Sequence, residues 1–118
     1  MKLKRGDLLW ANLGARNGTQ PGKVRPVIVI QTDFLNALPH PSTVVVVCTS
    51  RLAGENIMRT VIAPGMAGNK LETEVLIDQI RSLDNRSFVK KMGVVPAIVM
   101  NEIDAKLSVL LNLGLNLG

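Results

Sequence analysis

Tyrosine is missing altogether, and Trp10, Phe34 and Phe88 are the only aromatic residues in the 118-residue chain. RNA-recognition motifs and oligonucleotide-binding barrels stack bases on aromatic platforms. This chain cannot build one, so any RNA binding must run through phosphates, backbone groups and polar contacts to base edges. Cys48 is the lone cysteine, which excludes an intrachain disulfide and a cysteine zinc cluster. His40 is the lone histidine, so one subunit cannot supply the imidazole pair of a pancreatic-type ribonuclease. It sits between Pro39 and Pro41 and reads as a solvated loop residue. His, Cys and carboxylate residues do not cluster at ligand spacing, which argues against a metal site and any metal cofactor. Long apolar runs are also lacking. None approaches the ~20 residues of a spanning helix, and Met1-Lys2-Leu3-Lys4-Arg5 offers no apolar core for a secretory signal. A reducing cytoplasm and no membrane fit all of these.

What is present points to one folded domain over 1–118. Hydrophobic residues make up 47% of the chain, enough for a real core. Lysine and arginine number 14 against 9 acidic residues, a net charge of +5. A small basic domain is disposed toward polyanions, and nucleic acid is the abundant one. Charge sets that direction but does not decide it, because many basic proteins bind no nucleic acid.

The pattern along the chain alternates strands and loops. Asp7–Leu13 predicts a first strand, and the Gly/Pro-rich stretch Gly14–Gly22 a long loop. Val24–Thr32 and Thr43–Thr49 are β-branched and almost continuously apolar, as strands buried on both faces are. Asp33–Ser42, with Pro39 and Pro41, predicts a loop. Shorter strands are expected at Ile57–Ala63, Glu72–Ile80 and Lys90–Val95, with a turn-rich link from Pro64 to Asn69. After Pro96 the period changes. Val99, Met100, Ile103, Leu107, Leu110 and Leu111 recur at three- and four-residue steps, one apolar helix face. Pro96 suits the start and Gly114 the residue past the end. Short strands, glycine-rich loops and one terminal helix imply a mainly β fold, a small bent sheet closing toward a barrel.

Four segments carry the chemistry: Lys4-Arg5-Gly6-Asp7-Leu8-Leu9-Trp10; Lys23-Val24-Arg25-Pro26-Val27-Ile28-Val29-Ile30; Val44–Val47 running into Cys48-Thr49-Ser50-Arg51; and Val75–Asp84. Each sets a polar group within or at the end of a rigid apolar strand. Arg25 precedes Pro26 and a buried strand. Its planar fork suits bidentate phosphate binding and stays cationic at physiological pH, although by the residues alone a salt-bridged strand-edge arginine is the better explanation. Thr49 closes its strand, either as a β-former with a satisfied hydroxyl or as a hydrogen-bond donor to a ligand. Asp78 is a carboxylate inside a strand, which must be solvated or paired, and Arg81 and Arg86 are the nearby partners.

The same segments in the same order resemble the MazF/PemK toxin family, ribosome-independent mRNA endoribonucleases of bacterial toxin–antitoxin systems. The resemblance implies an SH3-like barrel of the CcdB/Kid/MazF type with a C-terminal helix, assembled as a homodimer. It also implies catalytic roles for two residues. Arg25, in the Arg-Pro-Val pattern, would stabilise the scissile phosphate and donate a proton, and Thr49 would help hold the transition state. Gln20, Lys23, Ser50, Arg51, Asp78, Gln79, Arg81 and Arg86 would contact RNA or wall the site. Two positions depart from relatives. The PemK/Kid branch pairs the aspartate at 78 with an arginine two residues earlier, where this chain has Leu76. Many relatives carry a glutamate in the loop that here reads Gly18-Thr19-Gln20, and Gln20 cannot act as a general base at neutral pH.

With this set, the implied reaction is attack by the RNA's own 2′-hydroxyl, leaving a 2′,3′-cyclic phosphate and a 5′-hydroxyl. The implied partners are single-stranded mRNA and a MazE-like antitoxin with an acidic, partly disordered tail. Two other readings share the fold class. One is a CcdB-like gyrase poison, whose family pattern has a tryptophan near the C-terminus that this chain lacks. The other is a basic RNA-binding module without catalysis.

Overall fold

The computed structural model describes residues 1–14 and 23–114. Six strands form one antiparallel sheet: β1 (Asp7–Asn12), β2 (Val24–Val29), β3 (Ser42–Thr49), β4 (Arg59–Ile62), β5 (Thr73–Asp84) and β6 (Phe88–Val94), in the spatial order β4-β5-β3-β2-β1-β6. A four-residue helix α1 (Asp33–Asn36) links β2 to β3, and α2 (Ala97–Leu111) closes the described chain. The expected mainly β fold with a C-terminal helix is what the chain adopts. Among the described residues no helix is long and apolar enough to cross a membrane.

The continuous apolar runs of β2 and β3 reflect burial on both faces. Ile28, Val46 and Cys48 join Leu8, Val75 and Ile77 in one cluster, against which Val99, Met100, Ile103 and Leu107 of α2 pack. Val27, Val29, Val45 and Val47 join Leu3, Leu9, Leu83 and Phe88 in a second. Cys48 is fully buried, and desolvation pushes its thiol well above the ordinary range, so it serves as an inert core residue.

The sheet bends sharply in β5. Its pairing with β3 shifts between Val46 and Cys48, which pair with Ile80 and Val75. The extra residues lie in Leu76–Gln79, and such a bulge kinks a strand and increases its twist. The free edges of the sheet then approach each other. Gly68, held at φ +83, and Gly93 bring the Ala67–Gly68 and Met92–Gly93 backbones into direct apposition, and a Cβ on either glycine would collide with the other segment. Asn69 buttresses this turn, its side chain donating to Leu71 O (2.8 Å) and Ala63 O (3.1 Å) and accepting from Ala67 N (3.0 Å).

Several boundaries differ from the sequence expectation. The segment 33–42 is not all loop: Thr32 caps α1 by accepting from Phe34 N (3.3 Å), and Asp33 accepts from Arg5 N (2.8 Å). β5 runs four residues past Ile80, because its second half pairs with the start of β3. β6 begins at Phe88, whose ring is buried in the second cluster, two residues before the expected Lys90. Leu110 and Leu111 are exposed rather than part of the buried helix face, since the last α2 side chain in the core is Leu107. The helix ends at Asn112, in the left-handed region at φ 56, and not at Gly114. Asparagine tolerates that conformation better than most residues.

The closure predicts that Gly93→Ala destabilises the protein by about 1–3 kcal/mol, because a methyl group must displace backbone. Denaturant unfolding of wild type and variant measures it, and an unchanged midpoint would refute the closure.

Candidate active site

The register of the sheet lines up the polar residues at the strand ends. Ala11 of β1 pairs with Arg25 of β2, and Thr49 of β3 pairs with Glu74 of β5, which in turn pairs with Val61 of β4. Between β2 and β3 the partners are Val27↔Val47, Ile28↔Val46 and Val29↔Val45. Carried two residues further, that register sets Arg25 opposite Thr49. Side chains alternate in strands, so Arg25 and Thr49 fall on the face of Val27 and Val47. Were the ladder to continue past Val27↔Val47, its last pair, guanidinium and hydroxyl would share one cross-strand row.

Around Arg25 lies a groove of about 710 Å³ that Thr49 does not line. Its residues Trp10 and Pro26 alternate with Ala11 and Arg25 and so belong to the other face of the sheet from Val27 and Val47. Its floor is the neighbouring row, in which Trp10 pairs with Pro26 on one side and Lys90 on the other. Arg25 and Ser50 bound it, with Lys70, Lys91 and the turn around Asn69 along the far wall. Lys91 is engaged by buried Asp7 (Nζ–Oδ1 3.1 Å). Arg25, Lys70 and Lys90 make no ion pair with any carboxylate among the described residues. Three uncompensated cations around one concavity form an anion-attracting surface.

The local chemistry of Thr49 is informative. Its Oγ1 accepts from Arg51 N (3.0 Å), which uses a lone pair and leaves the hydroxyl proton free to donate. Among the described residues the Arg25 guanidinium has no hydrogen-bond or ion-pair partner, so none of its donors is committed there. Together the pair can supply donors to one anionic oxygen pair, the arrangement that stabilises charge developing on a phosphoryl group.

The other sequence candidates divide. Ser50 lines the groove, and Arg51 is exposed just beyond it. Asp78 and Gln79 sit exposed on the β5 bulge, and Asp78 has no ion-pair partner among the described residues. Arg81 is half-buried opposite Val45, on the same face as the row but further along it. Lys23 stands just before β2, its carbonyl accepting from Leu13 N (2.8 Å). Gln20 lies outside the described residues. Arg86 is not brought to this place: it forms a two-point pair with Asp84 (3.1 and 2.9 Å) at the far end of β5. Asp84 faces Ser42, at the other end of β3 from Thr49 and roughly 20 Å away along the strand. The Arg86 guanidinium, followed by its amide, lowers the Asp84 carboxyl to about 2.

Two site features were missed in the sequence. Trp10 is 38% exposed on the groove floor, a large aromatic left open at a strand position. Its position alternates with buried Leu9 and Ala11, a pattern that signals an outward side chain. Lys70, Lys90 and Lys91 come from segments remote from the four motifs, so only the folded sheet assembles them.

Among the described residues, no three His, Cys, Asp or Glu side chains are grouped to hold a metal ion.

Comparison with known proteins defines the class. Residues 4–111 match the model of the PemK-like, MazF-like toxin of type II toxin–antitoxin systems. The protein belongs to that family. Endoribonuclease MazF6 of Mycobacterium tuberculosis is 33% identical over 114 residues, covering 96% of this chain and 100% of the relative. Endoribonuclease EndoA of Bacillus subtilis is 31% identical over 114 residues, covering 96% and 97%. Among solved structures, a MazE–MazF complex from Deinococcus radiodurans superposes with a TM-score of 0.79 at 29% identity, covering 97% of this chain and 99% of that one. The gyrase-poison alternative finds no support in these matches.

The groove makes a quantitative prediction. Binding of a single-stranded oligonucleotide, followed through Trp10 fluorescence, should weaken with salt. Each of Lys70→Ala and Lys90→Ala should lower the slope of log K against log salt by about 0.7. An unaltered slope in both variants would place the phosphate path elsewhere.

Proposed function

We propose that this protein is the toxin of a type II toxin–antitoxin pair, a sequence-specific endoribonuclease that cuts single-stranded mRNA and so arrests translation and growth in the cytoplasm. The observation that carries the reading is the cross-strand row. Arg25 and Thr49 fall at the positions that the resemblance marks as reactive, and the β2–β3 register, extended two residues past its last pair Val27↔Val47, supports their standing near each other. Membership in the family and relatives named as endoribonucleases support it further.

The chemistry follows from what those groups can do. The RNA 2′-hydroxyl releases its proton to water as its oxygen attacks the adjacent phosphorus, and the bond to the 5′-oxygen breaks. The products are a 2′,3′-cyclic phosphate and a 5′-hydroxyl. Arg25 neutralises charge growing on the nonbridging oxygens and delivers a proton toward the departing 5′-oxygen. Thr49 donates its free hydroxyl proton to a nonbridging oxygen. Strand ends of a packed sheet hold both donors in place, so little reorganisation is needed as charge develops. DNA, without the 2′-hydroxyl, is not a substrate.

The groove cations Arg25, Lys70 and Lys90 hold the RNA backbone near the row, and Ser50, Arg51, Asp78, Gln79 and Arg81 line the approaches. Lys23, and Gln20 in the loop before β2, complete the contacts. The reading includes a homodimer, for which exposed Val109, Leu110, Leu111 and Leu113 at the end of α2 offer apolar surface. It also includes an acidic MazE-like antitoxin. The Deinococcus relative is solved as a MazE–MazF complex, and a basic groove suits an acidic tail.

Arg25→Ala should lower the cleavage rate of naked RNA by about 10²–10³ while thermal unfolding stays that of the parent. Undiminished cutting by the folded variant would remove Arg25 from the mechanism.

A further inference from the structure

Glu74 is the most unusual residue beside the row. It pairs across the sheet with Thr49, yet it is only 1% exposed, a carboxylate sealed inside the protein. All its acceptor capacity is turned one way. Oε1 accepts from Ala53 N (2.9 Å) and Arg59 Nη1 (2.6 Å), and Oε2 accepts from Gly54 N (2.9 Å). Arg59 Nη1 also donates to Arg51 O (3.0 Å). Lys106 of α2 reaches the same segment from outside, donating to Asn56 O (2.9 Å) and Arg59 O (2.6 Å). The segment between β3 and β4 has no sheet partner of its own until Asn56 bridges to Arg59. A buried carboxylate and two cations therefore do for it what a ladder does elsewhere.

That segment begins one residue after Thr49. Ser50 borders the groove, and Arg51 is exposed with no carboxylate partner among the described residues. The amide of Arg51 is bonded to the Thr49 hydroxyl while its carbonyl is bonded to Arg59. A continuous chain of hydrogen bonds thus runs from Glu74 through Arg59 and Arg51 to Thr49.

We propose that Glu74, with Arg59, is a positioning residue that fixes residues 50–54 as a rigid recognition wall and thereby sets RNA affinity and cut-site choice. The inference rests on the endoribonuclease reading above and deepens it. Glu74 is not a general base in this account. Its lone pairs are committed to the Ala53 and Gly54 amides and to Arg59, and the Ala53 amide first, then Arg59, holds its carboxyl below the usual range. The role is to remove the conformational freedom of the wall before RNA arrives, which lowers the ordering cost of binding.

The test uses full-length Glu74→Gln and Ala53→Pro. Glutamine keeps the shape but loses one acceptor, and proline removes a single amide donor from an exposed position. Steady-state cleavage of the preferred RNA should show KM raised about tenfold and kcat lowered by less than about threefold, with an unshifted pH profile. Mapping the 5′ ends of fragments from one long RNA should show additional cut sequences for both variants. Thermal unfolding checks the fold, and Ala53→Pro keeps the test valid if Glu74→Gln does not fold. Wild-type KM and cut sites in the folded variants would overturn the proposal. So would a kcat loss with a displaced pH profile, which would make Glu74 a catalytic base. Failure of the wild-type protein to cut RNA at all would instead sink the endoribonuclease reading.

Discussion

One pairing register, running through β2, β3 and β5, determines where Arg25, Thr49 and Glu74 lie. Slipping a strand by one residue sends all its side chains to the opposite face. Such a slip would separate Arg25 from Thr49 and turn Glu74 away from its loop. The apolar sequence alone protects poorly against it, because Val44–Val47 and Val27–Ile30 present similar side chains to both faces. Polar anchors outside the run hold the register instead. Gln31 accepts from Val44 N (3.2 Å), and Thr43 donates to Asn85 Oδ1 (2.7 Å). Asn85 N in turn reaches Pro41 O (2.9 Å). The Thr49 end of β3 is thus set by hydrogen bonds at its other end.

Charge is distributed with similar economy. Arg5 pairs with Asp104, tying α2 to the turn before β1, and its Nε donates to Ile30 O (3.0 Å). Arg59 is committed to Glu74, Lys91 to Asp7 and Arg86 to Asp84. The cations without acidic partners among the described residues include Arg25, Lys70 and Lys90 at the groove, Arg51 and Arg81 outside it, and Lys2 and Lys4 near the start of the chain. Exposed ion pairs such as Arg86–Asp84 add little to stability.

The fold was legible where local pattern carries the information. Continuous β-branched runs marked β2 and β3, and the 3.6-residue period from Val99 to Leu107 marked α2. Arg25 and Thr49 stood out only through the resemblance to the toxin family, because by themselves a strand-edge arginine and a β-forming threonine have ready structural explanations. Glu74 did not stand out. Its partners at Ala53, Gly54 and Arg59 lie 15–21 residues away, and nothing in the flanking sequence marks it as buried. The β5 bulge escaped for a related reason, since a register shift depends on two strands at once. Gly68 and Gly93, 25 residues apart in sequence, meet only when the sheet curls. Arg86 sat in a promising run of charges, yet a carboxylate two residues before it satisfies it locally. Leu110 and Leu111 fit the helix period but lie beyond the last turn that faces the sheet.

The central claim is that Arg25 and Thr49 act on one phosphodiester as a unit. A double-mutant cycle on single-turnover RNA cleavage tests it most directly, comparing wild type, Arg25→Ala, Thr49→Ala and the double variant. Donors to a shared phosphate are strongly non-additive, so the double variant should cut hardly slower than Arg25→Ala alone. Rate losses that simply multiply would mean that the two side chains work independently, and would contradict the shared site.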